Sequence, residues 1–269
     1  MASVTVACRP VVNPDILAPP RFNKVQGMFR TIRSLVFYVG YAGAALGVGL
    51  SSLLAMPFLS FRYRYQVLTC FHRFVLWWAR LVCGIRYEIE GRENIPDQPC
   101  VVLSNHESAW ETYLLGILFS PQSTVLKQEL LKIPLVGSVL RQVRPIAIDR
   151  SRPAQALKQM VRQGKERLAE GNWVLIFPEG TRVAPGRVQK FNKGGAMLAS
   201  QAGVPIVPVA HSAGCCWPPG TLLKRPGVIR VRVGPPILPE GLSRDELHDR
   251  AERWIREQMA DLAGDSGQS

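Results

Sequence analysis

Acidic side chains are in the minority here: 20 Asp and Glu stand against 33 Lys and Arg in 269 residues, a net charge of +13. That balance excludes an acidic, self-solvating chain and points to an anionic partner, for which nucleic acid and anionic lipid are the two candidates. Cysteine is scarce and poorly spaced. Cys8, Cys70, Cys83, Cys100, Cys215 and Cys216 include no Cys-x-x-Cys pair and two are adjacent, which suits neither a zinc site nor a disulfide framework. No metal site is therefore expected, and the thiols are expected to be reduced and partly buried. Internal repeats and low-complexity tracts are lacking as well. Most telling, no charged side chain occurs between Ser34 and Phe61.

That uncharged run decides between the two anionic partners. Leu35 to Leu59 is long enough to cross a hydrocarbon core of roughly 30 Å as a helix. A cleaved signal peptide fits poorly, because the run is too long, its polar leader reaches Arg33 and no small-x-small site follows. From Tyr63 to Cys83 the chain is apolar but interrupted, with Arg62, Thr69, Arg73 and Arg80 near one helical face and Leu68, Phe71, Val75, Trp78 and Val82 elsewhere. This reads as a basic amphipathic helix lying in the membrane interface, although the Trp77-Trp78 pair fits core packing equally well. Arg21, Lys24, Arg30 and Arg33 precede the apolar run and Arg62 and Arg64 follow it, so the positive-inside rule gives no clean orientation. A helix hairpin returning to the cytoplasmic face satisfies both flanks; a single span stays open.

After Cys83-Gly84 short β-rich runs alternate with helical stretches. The strands expected are Arg86–Glu90, Cys100–Leu103, Thr124–Lys127, Pro145–Ile148, Trp173–Phe177, Ile206–Ala210 and Val228–Val233. Helices are expected over Ala109–Leu118, Pro153–Ala169, Gly195–Gln201 and Arg244–Leu262. The fold class is α/β, one mixed β-sheet flanked by helices, with an N-terminal membrane-associated helix pair. Four segments result: a basic N-terminal tail over 1–33, the membrane and amphipathic helices over 34–84, a catalytic domain over 85–263 and a disordered tail over 264–269.

Reactive groups in such folds gather where strands end and loops begin. Ser104-Asn105-His106-Glu107-Ser108-Ala109-Trp110-Glu111 follows one strand. Five residues on a regular helix separate side chains by roughly 140°, so His106 meets Glu111 only if the histidine lies in the turn before the helix. A carboxylate on one ring nitrogen would then make the other a general base for a hydroxyl. Ser108-x-x-Glu111 is equally a capping box, with Ser108 as the N-cap and Glu111 on its backbone N–H. Ser108 is also a rival nucleophile. A second strand runs into Pro178-Glu179-Gly180-Thr181-Arg182 and a third into Asp149-Arg150. Two guanidiniums at such ends suit a phosphate bidentately; a turn with a Glu179–Arg182 pair and a solvated Asp149-Arg150 pair are the plainer alternatives.

Taken in order, these blocks resemble the 1-acylglycerol-3-phosphate acyltransferases of the glycerolipid acyltransferase superfamily. The similarity spans Arg86 to Val233. It rests on Asn105-His106-x-Ser108 with Glu111, on the strand ending at Asp149-Arg150, on Phe177-Pro178-Glu179-Gly180-Thr181-Arg182, and on Val204-Pro205-Ile206-Val207-Pro208-Val209. Lys127-x-Glu129-Leu130 followed by Ile133-Pro134-x-x-Gly137 looks like the family's connecting segment. The chain departs by carrying Glu111 where Asp is usual, and Arg144 and Ala147 where Gly and Phe are frequent, which bears on the shape of the acceptor pocket.

The resemblance implies direct acyl transfer from acyl-CoA or acyl carrier protein to the 2-hydroxyl of 1-acyl-sn-glycerol 3-phosphate, giving phosphatidic acid. His106 and Glu111 would form the catalytic dyad. Arg150, Glu179, Gly180, Thr181, Arg182 and Lys127 would bind substrate, with Arg150 and Arg182 on the phosphate. The thioester is a co-substrate, and no cofactor, metal or nucleic acid is implied. The partners are membrane lipids and lysophosphatidate, and the catalytic domain is expected to face the cytosol from the cytoplasmic membrane. Acyl transfer to a lyso-ornithine lipid, glycerol 3-phosphate or another lysophospholipid, and a non-catalytic basic protein binding anionic lipid or nucleic acid, are the alternatives.

Overall fold

A computed structural model describes residues 24–265. Most of the expected basic tail and the last four residues lie outside the described residues. The first helix, α1 (Lys24–Leu54), begins within the stretch read as tail. After a short 3-10 turn at Met56–Phe58, α2 (Phe61–Cys83) runs back against it. The pairing is antiparallel, since Trp78 Nε1 donates to the Phe37 carbonyl at 3.1 Å and Arg33 Nε reaches the Val82 carbonyl. Trp77 is exposed while Trp78 packs on α1, so the core-packing reading holds for Trp78 and not for Trp77. Thr69, expected on the basic face, is buried and bonds the Tyr65 carbonyl at 2.7 Å; a short hydroxyl can satisfy itself on the preceding turn, which an arginine cannot.

The remaining elements are β1 (Ile85–Glu90), β2 (Val101–Ser104), α3 (Trp110–Leu118), β3 (Gln122–Lys127), α4 (Val136–Gln142), β4 (Ile146–Ile148), α5 (Pro153–Ala169), β5 (Trp173–Ile176), α6 (Gly194–Ala202), β6 (Ile206–His211), α7 (Ala213–Cys216), β7 (Gly227–Val233) and α8 (Arg244–Asp265). One sheet holds all the strands in the order β1-β7-β6-β2-β5-β3-β4. From β6 to β4 the strands are parallel; β7 lies antiparallel to β6, and β1 follows β7. The carboxyl ends of β2, β5, β6, β3 and β4 therefore share one edge, and β1 and β7 begin at that same edge.

Alternation sorts the sheet's side chains into two cores. Val102, Leu175, Val207 and Ile229 face α1, α2 and α3, while Val101, Leu103, Val174 and Ile206 face α5, α6 and α8. The central strands β2, β5 and β6 are buried throughout, as their unbroken apolar runs require. α1 joins the first core through Phe37, which is completely buried, a contribution of about 1.5–3 kcal/mol for a side chain of that size. Its other face leaves Met28, Phe29, Ile32, Leu35, Val39 and Leu46 exposed. Gln26–Leu54 is also the one stretch among the described residues long and apolar enough to cross a membrane.

Candidate active site

β2 delivers the chain to the parallel edge at Ser104, and Asn105 to Ala109 turn it into α3. His106 sits in that turn. Its Nδ1 lies 2.7 Å from Glu111 Oε1, and the same oxygen accepts the N–H of Ser108 at 2.9 Å and of Glu107 at 3.2 Å. The capping and imidazole-orienting readings thus describe one atom. The regular helix begins at Trp110, but Ser108 does the capping expected of it: its Oγ accepts the Trp110 N–H at 3.1 Å, while Ala109 makes no side-chain cap bond. That hydroxyl is buried and already bonded.

The turn after β5 closes on His106 from the other side. Glu179 Oε2 accepts the His106 N–H at 2.6 Å, the His106 carbonyl accepts the Val183 N–H at 2.7 Å, and the imidazole stacks on Phe177 with centroids 4.0 Å apart. Gly180 makes this turn with φ of 73°, a left-handed conformation that a Cβ would strain. From β6, His211 bonds the Asn105 carbonyl through Nε2 at 2.8 Å, while the Asn105 amide spans the His211 backbone N–H and carbonyl at 3.1 and 3.0 Å. Ala213 N–H donates to His211 Nδ1 at 3.2 Å, so the proton of that ring is on Nε2. The ends of three neighbouring strands are thereby tied around one imidazole.

Three buried carboxyl groups surround that imidazole, and their environments push them apart. Burial, opposed by the Gly214 N–H, pushes Glu107 up to about 8. Burial likewise pushes Glu179 up to about 7 against the bond from His106 N–H. Burial would raise Glu111 too, but the His106 imidazole and the hydrogen bonds it accepts hold the group below its ordinary value. Glu111 is therefore the carboxylate that stays charged beside His106.

Comparison with known proteins fits this geometry. Residues 86–212 match the family model described as Acyltransferase. The 1-acyl-sn-glycerol-3-phosphate acyltransferase of Pseudomonas aeruginosa is 48% identical over 87% of this chain and 93% of its own length. The chain belongs to the 1-acyl-sn-glycerol-3-phosphate acyltransferase family. A human member, the alpha form, is 33% identical over 77% of the chain and 74% of its own length. The crystal structure of the 1-acyl-sn-glycerophosphate acyltransferase PlsC from Thermotoga maritima shares the fold, with a TM-score of 0.72 and 27% identity over 87% of this chain and 97% of that one.

The other residues singled out for this acyltransferase fall along the same edge. Arg150, just past β4, turns inward and bonds the Gly180 carbonyl, so it docks on the turn that carries Arg182 instead of forming a solvated pair with Asp149. Asp149 bonds Ser151 instead. Thr181 and Arg182 are exposed. Lys127 is exposed at the end of β3, in register with Ile148 of β4. Arg144 sits before β4, at the end of the strand away from Arg150, with φ of 51°, and pairs with Glu170 at 3.0 Å. Its place at the start of β4 separates it from Arg150. Asn105 and Phe177 stood in the blocks of the resemblance without a role of their own, and Glu107 and His211 were not anticipated as parts of the site; the end of the strand expected over Ile206–Ala210 was the available signal for His211.

Proposed function

We propose that the enzyme transfers an acyl chain from acyl-CoA or acyl carrier protein to the 2-hydroxyl of 1-acyl-sn-glycerol 3-phosphate, giving phosphatidic acid. The observation that carries this reading is the His106 imidazole, bonded to buried Glu111 through Nδ1 and seated on Phe177, with Nε2 the nitrogen left for an acceptor. Nε2 takes the proton of the 2-hydroxyl as its oxygen attacks the thioester carbonyl. Glu111 stabilises the imidazolium that forms. As the tetrahedral adduct collapses, the carbon–sulfur bond breaks and the imidazolium returns the proton to the leaving thiolate. The chemistry needs no cofactor beyond the thioester.

Arg182, together with Arg150 and Lys127, would provide the cationic edge for the acceptor phosphate, while Gly180 and Thr181 shape the approach. Glu179 acts through the His106 backbone as a positioning residue. The exposed apolar face of α1 supports membrane association; the reading sets the catalytic domain at the cytoplasmic membrane facing the cytosol, so that the lysolipid tail stays in lipid while the thioester arrives from the cytosol.

The test is an acceptor panel with one labelled thioester: lysophosphatidate, lysophosphatidylcholine, glycerol 3-phosphate, a lyso-ornithine lipid and monoacylglycerol. Two charge-assisted hydrogen bonds at about 1.5 kcal/mol each give lysophosphatidate an advantage on the order of 10²-fold in kcat/KM over monoacylglycerol. Preference for a phosphate-free acceptor would reject this assignment of substrate.

A further inference from the structure

Lys224 is a lysine that the proposed reaction leaves without a role. It is 1% exposed, and its ammonium lies 4.1 Å from the Tyr38 ring centroid, 4.2 Å from that of Trp217 and 5.2 Å from that of Phe37. It bonds the Tyr38 hydroxyl and the Leu222 carbonyl, and its backbone N–H donates to Ser34 Oγ at 2.9 Å. Aromatic faces and neutral oxygens stabilise a buried cation only in part. Burial lowers its pKa to about 8, which leaves the group mostly cationic near neutrality.

Beside Lys224 a cavity of about 260 Å³ opens between the first turns of α1, the end of α2 and the segment before β7. Arg30, Arg33 and Lys224 line it together with apolar Phe29, Cys83 and Pro226, and no acidic residue is among the described residues that do so. None of the residues placed at the acceptor site lines it. Because β1 and β7 begin at the edge where β2 ends, the cavity opens on the same edge of the sheet as His106. The exposed Met28, Phe29, Ile32 and Leu35 of α1 adjoin it.

A largely apolar cavity with Arg30, Arg33 and Lys224 in its wall, next to an exposed apolar helix face, matches a molecule with an anionic head and hydrocarbon tails. We propose that this cavity is a second phosphate site, separate from the acceptor site, that holds the headgroup of an anionic phospholipid of the surrounding bilayer. The lipid tails lie along the exposed face of α1. The Trp217 ring, 6.2 Å from that of Tyr113, connects the cavity to α3, the helix that carries Glu111.

The test uses the full chain in dodecyl maltoside micelles and compares binding of labelled dioleoylphosphatidylglycerol with dioleoylphosphatidylcholine. The unaltered protein should favour the anionic lipid by roughly tenfold, and Arg30→Gln and Lys224→Met should each bring the ratio to within about twofold. Arg30→Lys should keep the preference, as charge and not shape sets it. Arg182→Ala should keep it too, which separates this site from the acceptor reading. An unchanged ratio in both cavity variants overturns the proposal. So does loss of the preference in Arg182→Ala, or displacement of the anionic lipid by free coenzyme A.

Discussion

Glu111 Oε1 has three donors: the His106 ring and the N–H groups of Glu107 and Ser108. Structure and chemistry can be separated by changing its charge alone. Glu111→Gln keeps an oxygen for all three donors but removes the charge that stabilises imidazolium, so kcat should fall on the order of 10²-fold with the melting temperature nearly unchanged. Glu111→Asp should retain activity within about tenfold of the parent if a carboxylate is what His106 requires. Full activity in Glu111→Gln would leave Glu111 as a helix cap only. The His106–Glu111 pairing was legible because a turn followed by a helix returns a residue five positions on. Glu179 was not legible in its observed place: its partner, the His106 N–H, is 73 residues away and is met only through the β2–β5 pairing. Phe177, legible as a strand end, lies stacked against the imidazole, a contact that no local pattern encodes.

Among the elements, the turn from Phe177 to Val183 matters most, because it holds His106 by backbone, side chain and ring. Glu179→Ala removes one of those anchors, and kcat should drop about tenfold for a misplaced base. The conservative Glu179→Gln keeps the acceptor and tests the charge. In the parent, the folded-state value is raised from 4.5 to about 7, so folding takes up a proton and stability declines as pH rises through that window. Glu179→Gln lacks this decline, so its melting temperature relative to the parent should climb from pH 4.5 to about 7. A gap independent of pH would show that Glu179 is not buried as described. All seven expected strands and the four expected helices of the globular part are present, with small shifts at their ends. α4 was missed because it spans only seven residues and starts after Leu135 at φ of 60°, a conformation that side-chain periodicity does not encode. Strand order was hidden too, since β7 enters between β1 and β6 by long-range pairing.

At the scale of the molecule, one sheet edge collects His106, the cations proposed for the phosphate and the entry to α1. The exposed apolar residues of α1 follow from its double duty: Phe37 and Ser34 face the protein while Leu35 and Val39 face outward. An acyltransferase built this way presents the proposed base beside the surface that lipid is proposed to cover, which suits a lipid acceptor. The central claim is that the His106 imidazole is the base. It is tested most directly by His106→Ala, assayed for transfer of a labelled acyl group to lysophosphatidate alongside its melting temperature and membrane association. Transfer should fall to background while both physical properties stay at the parent's values; normal transfer by His106→Ala would contradict the account.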